Sequence, residues 1–241
     1  NKIHILCSTQ MSSVYAFWQN SLIETELQDR EIDIFLPPDA KNLKRSWIRV
    51  IACDNEGGIS NDILIPLEFG KVITESKELT RFDRQTMILY FMMVDRFKNG
   101  DITNDEPIDD PEILPKANYF GGDIAGIEQV LTSGYFDELG VNTLWLSPLN
   151  QNPKGAYGLY KHPRTKFSGY HGYWPVSYRQ IDYRFGTREE FSSLVETVHS
   201  HNMNILIDYV ASHVHELHPV FQQHPDWVTN LYLPDGTLNT E

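Results

Sequence analysis

The segment Val141-Asn142-Thr143-Leu144-Trp145-Leu146-Ser147-Pro148 decides how the second part of this chain is read. An apolar run closed by Ser-Pro is the pattern of a strand buried on both faces of a parallel sheet. The same pattern occurs upstream at Met87–Val94, which stops at Asp95, and downstream at Met203–Ile207, which stops at Asp208. Between the first two runs Ile124, Ile127, Val130, Leu131 and Leu139 recur at helical spacing, and Gly140 ends the predicted helix. Between the second and third, Thr187 with Glu190 three residues on forms a capping-box start. The apolar stripe of that helix is Phe191, Leu194, Val195 and Val198. Strand, helix, strand, helix, strand opens a parallel α/β domain, whose functional groups gather beyond the carboxyl ends of the strands.

Further out, residues 1 to about 80 carry short β-patterned runs: Ile3–Cys7, Val14–Trp18, Glu31–Leu36, Trp47–Cys53 and Asp62–Phe69. Turn signals such as Pro37-Pro38 and Gly57-Gly58 punctuate them, predicting a small β-sandwich. The 241 residues are 41% hydrophobic, enough to bury a substantial core. A net charge of −13 argues against a nucleic-acid groove or an anionic membrane surface as the main partner. No apolar run approaches the roughly 18 residues that span a bilayer. The opening Asn1-Lys2-Ile3 has no leader-like character. Cys7 and Cys53 are too few for a disulfide scaffold, and read either as free thiols on strands or as one bridge.

Two loops carry chemistry. Between Asn99 and Asp123 there are seven acidic residues and one basic one, Lys116. Asn99-Gly100-Asp101, Asn104-Asp105 and Gly121-Gly122-Asp123 mix carboxylate and amide oxygens with glycines, which suits a hard cation such as Ca²⁺. The spacing is not that of an EF-hand, and a solvated acidic loop has the same composition. Gly169-Tyr170-His171-Gly172-Tyr173-Trp174 offers aromatic faces and an imidazole, a mix suited to sugar rings and their hydroxyls, or to packing on a rim. Asp208 places a carboxylate at a strand end with His213 five residues on; such an Asp serves as a catalyst or as a loop anchor. His213, His215, His218 and His224 form a histidine-rich stretch without the spacing of a closed zinc site.

Together these segments resemble the α-amylase family of glycosidases, glycoside hydrolase family 13, over residues 87–241. Ile88–Phe97 resembles the first barrel strand. The Asn99–Asp123 stretch resembles the calcium loop of the neopullulanase, cyclodextrinase and cyclodextrin glucanotransferase members. Tyr170–Trp174 resembles the loop before the second helix, and Asp208 to His213 the first conserved region. The implied fold is multi-domain: an immunoglobulin-like β-sandwich over residues 1–80, then the first part of a TIM (β/α)8 barrel over 81–241. That part comprises about three βα units, including the long loop after the second strand. The resemblance further implies structural Ca²⁺ held by Asn99, Asp101, Asn104, Asp105, the Gly121 carbonyl and Asp123. It implies substrate binding by His171, Tyr173, Trp174, Asp208 and His213. There the two histidines bond the hydroxyls of the sugar being cleaved, Tyr173 stacks beneath its ring and Asp208 holds the site together. Ser212 stands where the family usually has Asn, so a second calcium that this Asn serves in many members is not expected.

The implied mechanism is retaining, with a carboxylate nucleophile and a second carboxyl that donates and then removes a proton. In the family these follow the fourth and fifth barrel strands, and no segment of this sequence matches either, so no catalytic residue is assigned here. The expectation is the N-terminal portion of a retaining α-glucan hydrolase acting on α-1,4-linked glucans. It is expected to be inactive alone, completed by barrel strands from the same parent chain or another, and secreted or periplasmic. A non-catalytic carbohydrate-binding or degenerate amylase-like protein competes with it. A calcium-dependent adhesion module accounts for the sandwich and the acidic loop, but leaves Tyr170–Trp174 and Asp208–His213 unexplained.

Overall fold

Alternating runs in the first part of the chain form antiparallel strands, and the continuous apolar runs of the second part form parallel ones. The computed structural model describes residues 2–229 and 232–239; Asn1, Asn230, Leu231, Thr240 and Glu241 lie outside the described residues. The chain divides into two units, 1–87 and 88–241.

The first unit contains β1 (Lys2–Leu6), β2 (Ser13–Trp18), β3 (Ser21–Ile23), β4 (Thr25–Gln28), β5 (Glu31–Phe35), β6 (Arg45–Cys53), β7 (Ile63–Glu68) and β8 (Lys71–Val72). They make two antiparallel sheets, ordered β1-β5-β4 and β3-β2-β6-β7-β8. On β6 every second residue, Ser46, Ile48, Val50 and Ala52, is buried, as strand geometry requires. Three of them join Ala16, Ile32, Ile34 and Leu67 from both sheets in one apolar cluster. The hairpin from β2 to β3 turns at Gln19 and Asn20, both at positive φ without glycine, so its sequence signal is weak. Residues 81–87 lie with this unit rather than the second: Arg45 Nε pairs with Asp83 at 3.1 Å. Cys7 and Cys53 are free thiols.

The second unit runs β9 (Leu89–Met92), the single turn α1 (Val94–Phe97), α2 (Ile124–Thr132), α3 (Tyr135–Glu138), β10 (Thr143–Leu146), β11 (Asn150–Gln151), β12 (Tyr157–Lys161), β13 (Arg164–Phe167), β14 (Ser177–Ile181), α4 (Arg188–Ser200), β15 (Asn204–Ile207) and α5 (Pro219–Gln223). β10 lies between β9 and β15, parallel to both. Leu144 is opposite Tyr90 and Ile205, and Leu146 opposite Met92 and Ile207. Leu144 and Leu146 are fully buried, in one cluster with Ile124, Ile127 and Leu131 of α2 and Leu194 and Val198 of α4. On the other face Phe91, Trp145 and Leu206 stand in register, 47%, 38% and 40% exposed.

Two expectations are corrected here. The helix expected from Ile124 to Leu139 is two helices, because Gly134 adopts φ +84°, a left-handed conformation that ends one and starts the other. The phase therefore shifts: Phe136 is fully buried, whereas Leu139 is exposed. The loop after β10 is also not irregular, since β11 pairs with β14 and β12 with β13. α4 begins as expected: the Thr187 side chain accepts from Glu190 N, and Glu190 Oε2 accepts from Thr187 N at 2.6 Å.

Thr187→Ala is expected to lower unfolding free energy by about 1 kcal/mol, with Thr187→Ser near neutral. Leu144→Ala is expected to cost about 2–5 kcal/mol. Urea denaturation of the three variants checks both.

Candidate functional site

The apolar ladder of β9 delivers Asp95 to a buried position just past the strand. There the N–H of Phe120 donates to both of its oxygens at 3.0 Å, and that of Gly121 donates at 3.3 Å. The Arg96 guanidinium also pairs with it. Burial pushes the Asp95 carboxyl up to about 6, against the pull of these N–H groups and Arg96. Gly122 N donates in turn to the Asp95 carbonyl at 2.9 Å. The end of β9 is thus sewn to the far side of the acidic loop.

Within that loop Asp123 caps α2. Its Oδ1 accepts from Gly126 N at 2.6 Å and Gly100 N at 3.0 Å, and its Oδ2 from Asp101 N at 2.8 Å and the Asn104 amide at 3.2 Å. The Asn99 amide donates to both oxygens of Asp105, at 2.9 and 2.8 Å. Gly121 crowds this pair: at φ +86°, a Cβ on it would lie 2.2 Å from Asp105 Oδ1. Asp101 turns its Oδ1 to Thr103. The expected cation ligands thus fall into two hydrogen-bonded groups, Asn99 and Asp105 against Gly121 and, separately, Asn104 and the Asp101 N–H on Asp123, while the Asp101 carboxylate is spent on Thr103. Because carboxylates only accept, the amide nitrogens of Asn99 and Asn104 face Asp105 and Asp123. Their oxygens, Asn99 Oδ1 and Asn104 Oδ1, are buried and meet no donor. Orphaned amide oxygens among carboxylates fit the donor chemistry of a hard cation. Among the described residues no three His, Cys, Asp or Glu side chains converge as a metal cluster. The histidines of the 213–224 stretch are engaged singly: His218 Nδ1 accepts from Val220 N, and His224 stacks on Trp227 at 4.0 Å.

The other expected residues also meet. The Tyr173 hydroxyl donates to Asp208 Oδ2 across 35 positions of sequence. Asp208, just past β15, is itself held by its N–H to the carbonyl of Leu146, the last residue of β10, at 2.9 Å. His171 lies near-parallel to Tyr173, ring centroids 6.0 Å apart at 24°, and edge-on to Trp174 at 4.7 Å. Its Nδ1 accepts from Tyr173 N at 3.0 Å, which leaves the proton on Nε2. Burial, Arg96 and His213 push the His171 imidazole down to about 4, so it is neutral at pH 7. Burial and the Asp208 bond push the Tyr173 phenol up to about 12. His213 Nε2 lies 2.8 Å from the Tyr173 carbonyl and so must donate to it, while Nδ1 lies 3.1 Å from the Ser212 hydroxyl. Both nitrogens of His213 are thus spent on this chain. His213 thereby braces Tyr173.

Four supporting residues escaped the sequence reading. Asn152 accepts from Trp174 N at 2.9 Å through its Oδ1. Asp182 accepts from Asn152 N at 3.0 Å and pairs with Arg184 at 3.1 Å, both side chains buried. Arg184 reaches on to Glu106 O at 3.1 Å, tying the aromatic loop to the acidic one. Arg96 holds the carbonyls of Asn118 and Lys116 at 2.8 and 3.0 Å. Only the Asp-Arg spacing at 182 and 184 gave a local signal, and a buried ion pair cannot be told there from a solvated one.

Comparison with known proteins adds a second line of observation. The family described as alpha amylase, catalytic domain, matches residues 91–232. A cyclomaltodextrin glucanotransferase of Paenibacillus macerans is 32% identical over 148 residues, covering 60% of this chain and 20% of the relative. An alpha-amylase of Niallia circulans is 29% identical over 131 residues, covering 53% and 24%. The chain therefore spans about a fifth to a quarter of the length of these relatives. A solved maltogenic amylase from S. marinus covers 95% of this chain with 32% of its own, at 23% identity and TM-score 0.50, a likeness of fold.

His171 sets a pH dependence. Its native pKa lies below the unfolded value of 6.5, so the unfolded chain binds the extra proton first and stability falls as pH drops from about 6.5 through about 4. Urea unfolding at pH 7 and pH 5 is expected to show a loss that His171→Gln reduces by on the order of 1 kcal/mol.

Proposed function

The chain belongs to the α-amylase family, and we propose that it is the N-terminal portion of a retaining α-glucan hydrolase acting on α-1,4-linked glucans. The observation that carries this reading is the meeting of Asp208, past the end of β15, with His171 and Tyr173 of the 169–174 loop at the carboxyl end of the parallel sheet. The neutral His171 presents its Nε2–H as a donor to a sugar hydroxyl. The Tyr173 ring offers an apolar face to the sugar, and its hydroxyl fixes the Asp208 carboxylate as an acceptor. Trp174 closes the wall beside His171. These residues bind and orient the glucan. The nucleophile and the acid/base of the retaining reaction are assigned to barrel strands outside this sequence.

Calcium, held by Asn99, Asp101, Asn104, Asp105, the Gly121 carbonyl and Asp123, would offset the acidic charge of that loop and satisfy the two orphaned amide oxygens. Residues 1–80 are read as an immunoglobulin-like sandwich; two antiparallel sheets sharing one core support this. Residues 88–241 begin the TIM barrel. The open row Phe91, Trp145 and Leu206 is the face on which its remaining strands, from the same parent chain or another, close. The acidic balance fits a secreted or periplasmic protein.

Maltooligosaccharide hydrolysis by the protein that carries this chain, followed by NMR of the first-formed anomer, tests the reading; the α-anomer is expected. Tyr173→Ala is expected to lower kcat/KM by about 10²–10³-fold. Binding of maltodextrin without any hydrolysis would favour the non-catalytic carbohydrate-binding alternative. EDTA is expected to lower the thermal midpoint of the wild type and to have less effect on Asp105→Asn. An unchanged midpoint would remove calcium from the account.

A further inference from the structure

We infer that Arg96 is a positioning residue that sets the angle of the sugar-contacting loop 169–174 by gripping the ring of Tyr170. This rests on the glucan reading of that loop. The Arg96 guanidinium carbon lies 3.8 Å from the ring centroid of Phe120 and 3.8 Å from that of Tyr170, so the flat cation is sandwiched between two aromatic faces. Its edge is equally committed. Nη1 donates to the Asn118 carbonyl at 2.8 Å and pairs with Asp95, and Nη2 donates to the Lys116 carbonyl at 3.0 Å. A planar group with donors around its rim can hold a backbone loop with its edge and a ring with each face; a tetrahedral ammonium cannot.

Tyr170 passes the constraint on. It immediately precedes His171 and packs edge-on against the imidazole at 5.3 Å, and His171 in turn faces Tyr173. No other charged side chain is recorded against the Tyr170 ring among the described residues. Tyr170 is only partly buried at the border of the main apolar cluster, so core packing alone does not fix it. Asp95, Phe120 and the strand end of β9 are the fixed frame. Arg96 is the link from that frame to the loop bearing His171 and Tyr173.

The test uses the protein that carries this chain, with Arg96→Lys, Arg96→Met and Tyr170→Phe. Hydrogen exchange is read by mass spectrometry in peptides covering 169–174 and, as reference, α4. Both Arg96 variants are expected to exchange about 10-fold faster in 169–174 with α4 unchanged. They should raise KM for a maltooligosaccharide about 5–20-fold with kcat within about 3-fold. Tyr170→Phe keeps the ring face and should match the wild type in both readouts. Wild-type exchange in 169–174 in both Arg96 variants overturns the proposal, as does equal acceleration in α4, which would mark a general loss of structure. Should the wild type neither bind nor cleave α-glucans while 169–174 still loosens selectively, the glucan reading fails and the assignment of Arg96 to the loop stands.

Discussion

The carboxylate of Asp95 is a buried charge-bearing group that the fold must partner, and much of the second unit is arranged around doing so. It sits past the end of β9, away from water, where an unpaired carboxylate costs several kcal/mol. The partners are the N–H groups of Phe120 and Gly121 and the Arg96 guanidinium. Satisfying one group therefore pulls a loop more than twenty residues away onto the strand end. It also places Gly121 against Asp105 and Asn99, and brings Arg96 between two aromatic rings. The acidic loop and the aromatic loop are consequently two outgrowths of one anchored point.

The two loops divide the chemistry. The acidic loop is rich in acceptors and retains two buried amide oxygens without donors, a surplus that a cation would absorb. The aromatic loop has instead used up most of its polar capacity internally. His171 Nδ1, both nitrogens of His213 and the Tyr173 hydroxyl are all engaged within the chain. What remains to meet a ligand there is a small set of directed groups and ring faces, which is what the proposed glucan site requires. Neutral His171 suits this, since a hydroxyl-rich, uncharged ligand gains little from a cation.

Much of this was legible in the sequence where one physical signal dominates. β9, β10 and β15 were readable because their apolar runs are unbroken, although one face, with Phe91, Trp145 and Leu206, is open here rather than buried as expected, and α4 because its capping box is local. The break at Gly134 was missed because the apolar spacing runs on through it, and only the backbone shows the left-handed turn. The β11–β14 pairing was missed because its strands lie far apart in sequence, and the β12–β13 hairpin because its alternation is weak and its turn, His162-Pro163, lacks the usual Asn-Gly signal. In the candidate site, Asp208, His171 and Tyr173 were singled out by residue type and position, with their binding roles implied by the family resemblance. Asn152, Asp182, Arg184 and Arg96 were not, because a polar residue that supports a site differs from a solvated one only through tertiary burial.

The central place of β10 has a consequence for motion. It is hydrogen-bonded to β9 on one side and β15 on the other, so it can open only when two ladders break together. Leu146 O, which holds Asp208, belongs to this strand, and Ser147 Oγ at its end accepts from Val94 N at 3.0 Å. β12, by contrast, projects mostly exposed residues and contributes no side chain to that anchor, while β13 is held to the acidic loop through Thr165 and Lys166. Fast, low-cost fluctuation should therefore concentrate in β12 while Asp208 and Asp95 keep their separation. Motion of β12 can then proceed without disturbing the ends of the parallel strands.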